Sequence, residues 1–329
     1  MHGNIFIKNY MKKINKLIHY NAIGDSLLLP YEFLNKNLIK KRFSYYGLKQ
    51  SLIFKYGLTS DDNDHLIITA KALLETNNVE EFKKSLSNKL KLWLFSLPIG
   101  IGATTLKSII KLLLGFKNSG IKSEGNGPLM RVPVIALNFA HDSTLRNSYI
   151  KASTEITHKS PQSLSASIGV GNFITYLSNN GKIPKKEELN KILKSIEEPI
   201  WEKYCELLIK NIDLNLDDFI RVIECQNGVT GYIMHTAIFS IYTLYHEQHP
   251  FEQIILAGGD TDTIGALVGS YLSLIEREQL SENNYFPKIN NINKNFWLKI
   301  FIKNLILIPV VLAHVIMRII TTILSYLLK

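Results

Sequence analysis

The chain has 329 residues, of which 46% are hydrophobic, and a formal net charge of +10. This length allows one large domain or two smaller ones, with a sizeable buried core. Ten basic residues and no acids lie in residues 1–20 and 287–329, so the body between them is balanced at 28 basic and 28 acidic side chains. A balanced body excludes the basic, aromatic-lined face of a nucleic-acid-binding protein. The basic ends suit an anionic surface such as a membrane.

The cysteines and the first residues indicate the compartment. Cys205 and Cys225 are the two cysteines, and they lack the Cys-x-x-Cys spacing of a zinc site. They do not indicate a disulfide framework, which favours a reducing compartment. Lysines interrupt residues 1–20 too often for the apolar segment of a signal peptide. We therefore expect a cytoplasmic protein.

Apolar residues recur at helical spacing along most of the chain, whereas strand-like alternation is scarce. This pattern predicts an all-α domain over about residues 15–285, with functional groups on loops and at helix starts. The clearest helical patterns cover residues 66–74, 79–95, 101–115, 161–178, 186–196, 199–211 and 229–245.

The first acidic segment is GDSLLLPYE, residues 24–32. Asp25 and Glu32 lie on either side of an apolar stretch, which we interpret as a turn. By itself this pattern is typical of a plain turn. It gains meaning only together with the acidic clusters that follow.

A denser cluster, TSDDNDHL at residues 59–66, comes directly before an apolar helix. One acid or hydroxyl at a helix start is explained by capping and by the helix dipole. Several carboxylates side by side are costly to bury without partners, and their oxygens suit a hard cation. The cluster therefore predicts either a capped helix start or half of a metal site.

A glycine loop follows at EGNGPLMR, residues 124–131. Its backbone N–H groups would approach phosphate oxygens, and Arg131 would pair with them. A plain turn is the alternative. His158, in THKSP at residues 157–161, is interpreted as a structural hydrogen-bonding residue rather than a catalyst.

The segment LAGGDTDTIGALVGS, residues 256–270, sets two carboxylates and two hydroxyls between a double glycine and an apolar helix. One cap explains one of the four side chains. Clustered hard oxygens suit Mg²⁺, Mn²⁺ or Ca²⁺. Because one short loop cannot fill about six coordination positions, residues 59–66 are the expected second half of the site. A pair of cations could be shared between the two segments.

The ordered set of motifs resembles the ADP-ribosylglycohydrolase family over about residues 20–280. The set comprises GDSLLLPYE, SDDND, GNGPLMR, THKSP, GVTGYIMHTA (residues 228–237) and GGDTDTIGA. The resemblance implies an all-α domain with two central Mg²⁺ ions, or Mn²⁺ in their place. The metal ligands it implies are Ser60, Asp61, Asp62, Asp260, Asp262 and Thr263. The substrate-binding residues it implies are Gly125, Asn126, Gly127, Arg131 and His158.

The activity that the resemblance implies is hydrolytic removal of ADP-ribose from a protein or a small acceptor. Cleavage at the ribose C1 builds oxocarbenium-like charge, so an acid must protonate the leaving atom while water attacks. Asp62 and Glu32 are the two candidates for the catalytic base, and the sequence does not separate them. The acceptor, whether arginine, serine or another group, is also left open. Asp64 is not expected to be a ligand, so we expect Asp64→Ala to be milder than loss of a ligand.

Several positions depart from the family pattern. Ser60 and Asn63 replace the threonines of a Thr-Asp-Asp-Thr element, Leu28 replaces a glycine, and Pro128 and Pro133 fall in and after the glycine loop. A serine hydroxyl can still bind a metal, whereas Asn63 is a poorer ligand. These changes motivate the alternative that the protein binds ADP-ribose without cleaving it.

The last feature is an apolar run at residues 306–328, which would rise roughly 35 Å as a helix and so span a bilayer. Trp297 and Tyr326 lie near its ends, and Lys299 and Lys303 precede it, as is typical of interfacial anchors.

Polar residues at helical spacing within the run, His314, Arg318 and Ser325, do not suit contact with lipid. The alternatives are an inserted anchor, an amphipathic helix in the membrane plane, and a helix packed on the body. We favour an anchor joined through a basic linker at residues 286–305, with the catalytic domain in the cytosol. Deletion of residues 296–329 is then expected to leave hydrolysis intact.

Overall fold

A computed structural model describes residues 2–32, 34, 36–52, 57–246, 250–275, 285–286 and 296–327. These residues form fifteen α-helices, one 3-10 helix and one short pair of parallel strands, which confirms the predicted all-α class. The helices are α1 (His2–Glu32), α2 (Lys36–Tyr46), α3 (Asp61–Leu74), α4 (Val79–Leu94), α5 (Ala103–Leu113), α6 (Val132–Asn138), α7 (Ser143–Thr157), α8 (Pro161–Asn180), α9 (Lys186–Leu193), α10 (Pro199–Asn211), α11 (Leu216–Val222), α12 (Ile233–Tyr245), α13 (Pro250–Ala257), α14 (Thr261–Leu272) and α15 (Phe296–Leu327). The strands are β1 (Gly57–Leu58) and β2 (Tyr285–Phe286), and the 3-10 helix is Gly127–Arg131.

The centre of the domain is the close packing of α1 against α14. A Cβ atom at Gly24 would overlap the backbone carbonyl of Gly265, so only glycine allows the two backbones to approach this closely. The Asn21 side chain donates a hydrogen bond of 2.9 Å to the carbonyl oxygen of Ala266. This packing brings the end of α1 beside the start of α14.

The segment at residues 24–32 is the end of α1 and not the predicted turn. Its apolar residues Leu27 and Leu28 are buried in the core, which favours a helix over an exposed turn. Asp25 and Glu32 are seven residues apart, which is close to two helical turns, so they lie on the same face of α1.

Both acidic clusters lie at helix starts, as predicted. Ser60 is the N-cap of α3, and its side chain accepts a hydrogen bond from the N–H of Asp62. Before α14, Gly258 and Gly259 adopt positive φ values of 71° and 93°. A Cβ atom at Gly259 would overlap the carbonyl of Val229, so the double glycine both turns the chain and allows this contact.

Helix α15 begins ten residues before the predicted apolar run. Phe296, Ile300 and Leu307 are buried against the body of the protein. The prediction of a linker is therefore wrong for residues 296–305, because residues at helical spacing pack there on the domain. The rest of that linker, residues 287–295 with Lys288 and Lys294, lies outside the described residues.

One helix in the described part of the chain is long and apolar enough to cross a membrane. Its window is Phe296–Ala313, with a mean hydropathy of 2.0, and 28% of the window is buried inside the protein. The side chains of His314, Arg318 and Ser325, predicted to form a polar stripe, lie outside the described part of the structure. Among the side chains of α15 that the structure describes, the exposed large apolar ones are Leu298, Phe301, Ile302, Leu305, Ile306, Leu312 and Ile316.

Candidate active site

The acidic helix starts and the glycine loop line one cleft of about 310 Å³, near the lower end of volumes for small-molecule sites. Every site residue predicted from the sequence lines this cleft, except Ser60 and Arg131. The lining residues are Glu32, Asp61, Asp62, His65, Gly100, Gly102, Ala103, Thr104, Thr105, Gly125, Asn126, Gly127, His158, Gly231, Asp260, Asp262 and Thr263.

Ser60 lies beneath the cleft wall, where it caps α3. Its N–H donates to both carboxylate oxygens of Asp25, at 2.8 and 3.0 Å. Its hydroxyl accepts from the N–H of Asp62 at 3.2 Å. The Ser60 hydroxyl, predicted as a metal ligand, thus caps α3 and does not line the cleft. Its backbone N–H is bound by Asp25 of α1.

The two acidic clusters meet in the cleft. The Thr263 hydroxyl donates to Asp62 Oδ2 at 2.8 Å, across a separation of 201 residues. Carboxylate oxygens of Glu32, Asp260 and Asp262 all lie within 4.8 Å of one another. Asp260 is the N-cap of α14, but its side chain makes no capping hydrogen bond. Capping therefore explains Ser60 and does not explain Asp260.

Burial governs the protonation of these acids. It raises the pKa values of Glu32, Asp62 and Asp262 well above the ordinary range, and neighbouring carboxylates raise them further. Burial and the nearby Asp64 raise the pKa of Asp61 to about 7. In the described part of the chain, the buried Asp262 Oδ1 has no hydrogen-bond partner.

This donor set fits a hard divalent cation. It consists of oxygen atoms only, which is the ligand type that Mg²⁺ and Mn²⁺ prefer. Carboxylates crowded in a buried site need protons or a cation to offset their mutual repulsion. Asp262 lines the cleft, and its buried Oδ1 lacks a hydrogen-bond donor that would take the place of a cation.

The glycine loop forms another part of the cleft wall. A Cβ atom at Gly125 would lie 3.1 Å from Nε2 of His158, so the loop packs closely over the imidazole. The Asn126 amide donates to Asp260 Oδ2 at 2.6 Å, and its backbone N–H donates to the carbonyl of Gly231 at 3.0 Å. Asn126 thus connects the glycine loop both to the second acidic cluster and to the segment containing Gly231.

Arg131 does not occupy the phosphate-binding position predicted for it. Its guanidinium is fully buried and donates to Ser153 Oγ at 3.0 Å and to Thr157 Oγ1 at 2.7 Å. Nη1 lies 3.1 Å from Nδ1 of His65. The prediction was wrong because an arginine next to a glycine loop can face a ligand or hydrogen-bond to the helix beneath the loop, and the sequence pattern is the same in both cases.

His158 is a neutral hydrogen-bonding residue in the cleft wall. Burial and the nearby Arg131 lower its pKa to about 3, so it carries no proton to donate as an imidazolium at neutral pH. Its Nδ1 lies 2.9 Å from the hydroxyl of Thr157. This arrangement agrees with the structural role predicted for it.

Sequence reasoning missed His65, which lines the cleft beside the acids. Its ring packs edge-on against Trp93 at a centroid distance of 4.7 Å. Burial lowers its pKa well below the ordinary value, so it is neutral. Helical spacing places it on the same face of α3 as Asp61, but only the packing of the other helices makes that face a wall of the cleft.

The segment PIGIGATT, residues 98–105, was also missed as a wall of the cleft. Helix α5 begins there, and its N-cap Gly102 makes no side-chain capping bond. The first N–H groups of such a helix remain available to an anion. The sequence signal that could have identified this loop is a pair of glycines followed by two threonines.

The departures from the family pattern remove no acid from the cleft. Asn63 turns its amide towards an asparagine of α1, at 2.8 Å. Leu28 is buried, and its carbonyl accepts from the Thr261 hydroxyl at 2.9 Å. Pro128 and Pro133 each lie within the first two positions of a helix, where a missing N–H is tolerated.

Helices thus enclose a polar cleft that contains clustered carboxylates and backbone N–H groups without intrahelical partners. Such a cleft is typical of hydrolytic enzymes. The chain belongs to the ADP-ribosylglycohydrolase family, whose model matches residues 10–279. The resemblance inferred from the motifs is thereby confirmed. The protein is accordingly a glycosidase that acts on ADP-ribosyl linkages.

Individual relatives agree with this assignment. ADP-ribosyl-[dinitrogen reductase] glycohydrolase of Rhodospirillum rubrum is 24% identical over 259 residues, which is 75% of this chain and 80% of the relative. An ADP-ribosylglycohydrolase-related protein complex of known structure matches with a TM-score of 0.61 and 18% identity, over 91% of this chain and 97% of that chain. At this identity the structural match shows a shared fold.

Proposed function

We propose that the protein removes ADP-ribose from an ADP-ribosylated protein or small acceptor with the help of two Mg²⁺ ions, or Mn²⁺ in their place. The observation that carries this proposal is the approach of carboxylate oxygens of Glu32, Asp260 and Asp262 to within 4.8 Å. The relative from Rhodospirillum rubrum acts, by its name, on ADP-ribosyl dinitrogen reductase, which supports a protein-linked substrate.

The proposed ligands are the acids at the starts of α3 and α14. Asp61, Asp62, Asp260, Asp262 and Thr263 supply the oxygen atoms, with Glu32 at the edge of the same group. When bound, the cations would hold the ribose hydroxyls and lower the pKa of a bound water.

The diphosphate of the substrate is proposed to lie between two sets of backbone N–H groups. One set belongs to the glycine loop at residues 125–127, and the other to the uncapped start of α5. The hydroxyls of Thr104 and Thr105 line the same wall. No arginine is needed for this contact, because backbone N–H groups at a helix start bind anions directly.

Glu32 is the better candidate for proton transfer. Among the described residues no hydrogen bond engages its carboxylate, whereas Asp62 Oδ2 accepts from the hydroxyls of both Thr263 and Ser60. The two donors hold Asp62 in one position, whereas the carboxylate of Glu32 is free to accept and release a proton. We therefore expect Glu32→Gln to lower kcat with little change in KM.

Release of ADP-ribose from defined substrates tests the activity. Purified protein is incubated with ADP-ribosylated arginine and ADP-ribosylated serine peptides, in EDTA and after addition of Mg²⁺ or Mn²⁺. We expect metal-dependent release from at least one linkage and none in EDTA.

The alternative of a non-catalytic protein predicts a different result in the same samples. Calorimetric binding of ADP-ribose without release from any linkage would support that alternative and contradict the proposed hydrolysis. Release that is equal in EDTA and in Mg²⁺ would retain the hydrolase and reject the metal.

We further propose that the distal part of α15 anchors the hydrolase to a membrane, with the catalytic domain in the cytosol. Exposed apolar side chains continue along the helix beyond the buried Leu307, at Leu312 and Ile316. Flotation of the full-length protein with anionic liposomes tests this proposal. A protein that stays at the bottom of the gradient without detergent would contradict it.

A further inference from the structure

Helix α15 carries a lysine into the interior, directly beneath the acidic wall of the cleft. Lys303 is fully buried, and its Nζ lies 2.8 Å from each carboxylate oxygen of Asp64. The same Nζ donates to the carbonyl of Ser60 at 3.1 Å. All three ammonium protons thus have acceptors.

The partner of this lysine is equally well enclosed. Asp64 is 1% exposed, and its Oδ2 also accepts from the indole N–H of Trp93 at 3.1 Å. Next along α15, Asn304 donates to the carbonyl of Ser96 at 2.9 Å. The polar side chains of this part of α15 are therefore bound to defined partners in the domain. The interpretation of Lys303 as a charge at a membrane surface is wrong, because the side chain is buried.

A buried ion pair is a weak source of stability, because loss of solvation offsets the attraction between the charges. The Lys303–Asp64 pair matters instead for the local structure that it fixes. Here that structure is the turn before α3, which supplies two acids to the cleft.

Three contacts determine the position of Ser60 in that turn. Its N–H is bound by Asp25, its hydroxyl caps α3 at the N–H of Asp62, and its carbonyl is bound by Lys303. Without the lysine, the carbonyl contact and a neighbouring positive charge are both lost.

We propose that Lys303 is a positioning residue for the metal-binding start of α3, acting through Ser60 and Asp64 on Asp61 and Asp62. It does not line the cleft and so touches neither substrate nor cation. The inference rests on the proposed metal site, and it extends that site to a helix outside the family match at residues 10–279.

Binding of Mn²⁺ to the metal-free, full-length protein tests the inference without any assay of activity. Lys303→Met removes the charge and keeps the length of the side chain. Lys299→Met makes the same change one turn earlier on the same helix and is the matched control. We expect Lys303→Met to weaken Mn²⁺ binding by about 10- to 100-fold, as loss of an outer-shell partner does, and the control to bind as the wild type does.

A double variant separates positioning from simple charge neutralisation. Asp64→Asn with Lys303→Met leaves no unpaired charge, so its metal-free melting temperature should exceed that of Lys303→Met alone. We expect its Mn²⁺ affinity to stay low, because the contact to the Ser60 carbonyl is still missing. This variant also decides the question if Lys303→Met alone fails to fold.

Two outcomes would overturn the inference. Wild-type affinity in Lys303→Met would show that α3 needs no lysine, and wild-type affinity in the double variant would show that Lys303 only neutralises Asp64. If the wild type and Lys299→Met bind no Mn²⁺, the proposed metal site is itself wrong and the role of Lys303 falls with it.

Discussion

Asp62 is the residue at which the two halves of the acidic site meet. Its Oδ2 accepts from Thr263, on α14, and from Ser60, at the start of α3. Asp262 and Asp260, from the start of α14, lie close enough to raise the pKa of Asp62. Single substitutions among these acids therefore distinguish a cation site from a pair of helix starts.

We expect Asp260→Ala or Asp262→Ala to abolish the stabilisation of the protein by Mg²⁺. An ion that binds the folded state alone stabilises it by about 2.7 kcal/mol at 100 times its Kd, so loss of a ligand removes this increment. Melting curves with Mg²⁺ and with EDTA measure it. An unchanged Mg²⁺-dependent shift in both variants would show that neither residue is a metal ligand.

The protonation of the cleft predicts how the stability of the metal-free protein changes with pH. Burial raises the pKa values of Asp25 and Asp61 to about 7, and those of Asp62, Asp262 and Glu32 well above the ordinary range. Carboxyl groups of the unfolded chain titrate near pH ~4, so between that pH and the raised pKa values the folded state binds more protons than the unfolded state. Protonation of these carboxyls therefore stabilises the folded state, and this contribution to the free energy of unfolding is lost as the pH rises through the folded pKa values. The buried histidines act in the opposite direction, but an unfolded imidazole is already half neutral at pH 6.5, so each adds only about 0.4 kcal/mol of stability between pH 6.5 and 8.

In EDTA, we therefore expect a lower melting temperature at pH 8 than at pH 6.5. Mg²⁺ should narrow this difference, since a cation replaces protons in offsetting the repulsion among the carboxylates. Paired melting curves at the two pH values, with and without Mg²⁺, test the expectation. A metal-free protein that is more stable at pH 8 would contradict it.

At the scale of secondary-structure elements, the contact between α1 and α14 determines whether the acids of the two helices can meet. Gly24 and Gly265 allow the backbones to touch, and the Thr261 hydroxyl donates to the carbonyl of Leu28 at the cleft end of the same pair. A wider separation would move Glu32 away from Asp262.

We expect Gly24→Ala to destabilise the protein by about 1–3 kcal/mol or more, because the added methyl group meets backbone atoms that cannot move aside. Gly102→Ala is the matched control, since nothing lies within 4 Å of a Cβ atom there. Urea denaturation measures both changes. Equal stability of the two variants would show that α1 and α14 can separate without cost.

At the scale of the whole molecule, α15 joins two regions with different surroundings. Its first turns are packed on the domain through Phe296, Ile300 and Lys303, whereas Leu312 and Ile316 are exposed apolar residues. The expectation that residues 296–329 can be deleted without loss of hydrolysis is therefore revised. That deletion leaves the buried Asp64 without its cation.

Two truncations separate the anchor from the packed turns. Deletion of residues 314–329 should release the protein from membranes and keep hydrolysis, because the contacts of Lys303 and Asn304 remain. Deletion of residues 296–329 should lower the free energy of unfolding by about 3–5 kcal/mol, as loss of one member of a buried ion pair does. Liposome flotation and urea denaturation measure the two effects. Identical stability of the two truncated proteins would show that α15 contributes nothing to the domain.

The same ion pair changes the expectation for Asp64. The sequence predicts a mild effect of Asp64→Ala because the family pattern places no ligand there. The structure gives Asp64 the buried Lys303 as a partner, so this substitution would leave an unpaired ammonium group in the core.

Periodicity and motif chemistry, read from the sequence alone, determined the all-α class, the acidic helix starts at residues 59–64 and 260–263, and the glycine loop at 125–127. These features are local, since capping, helical spacing and glycine turns depend on neighbours within a few residues. Tertiary structure alone decided that residues 24–32 are helical, that Arg131 and Lys303 are buried, and that His65 faces the cleft. The environment of a charge or an imidazole depends on elements packed from distant parts of the chain, and no local pattern contains that information.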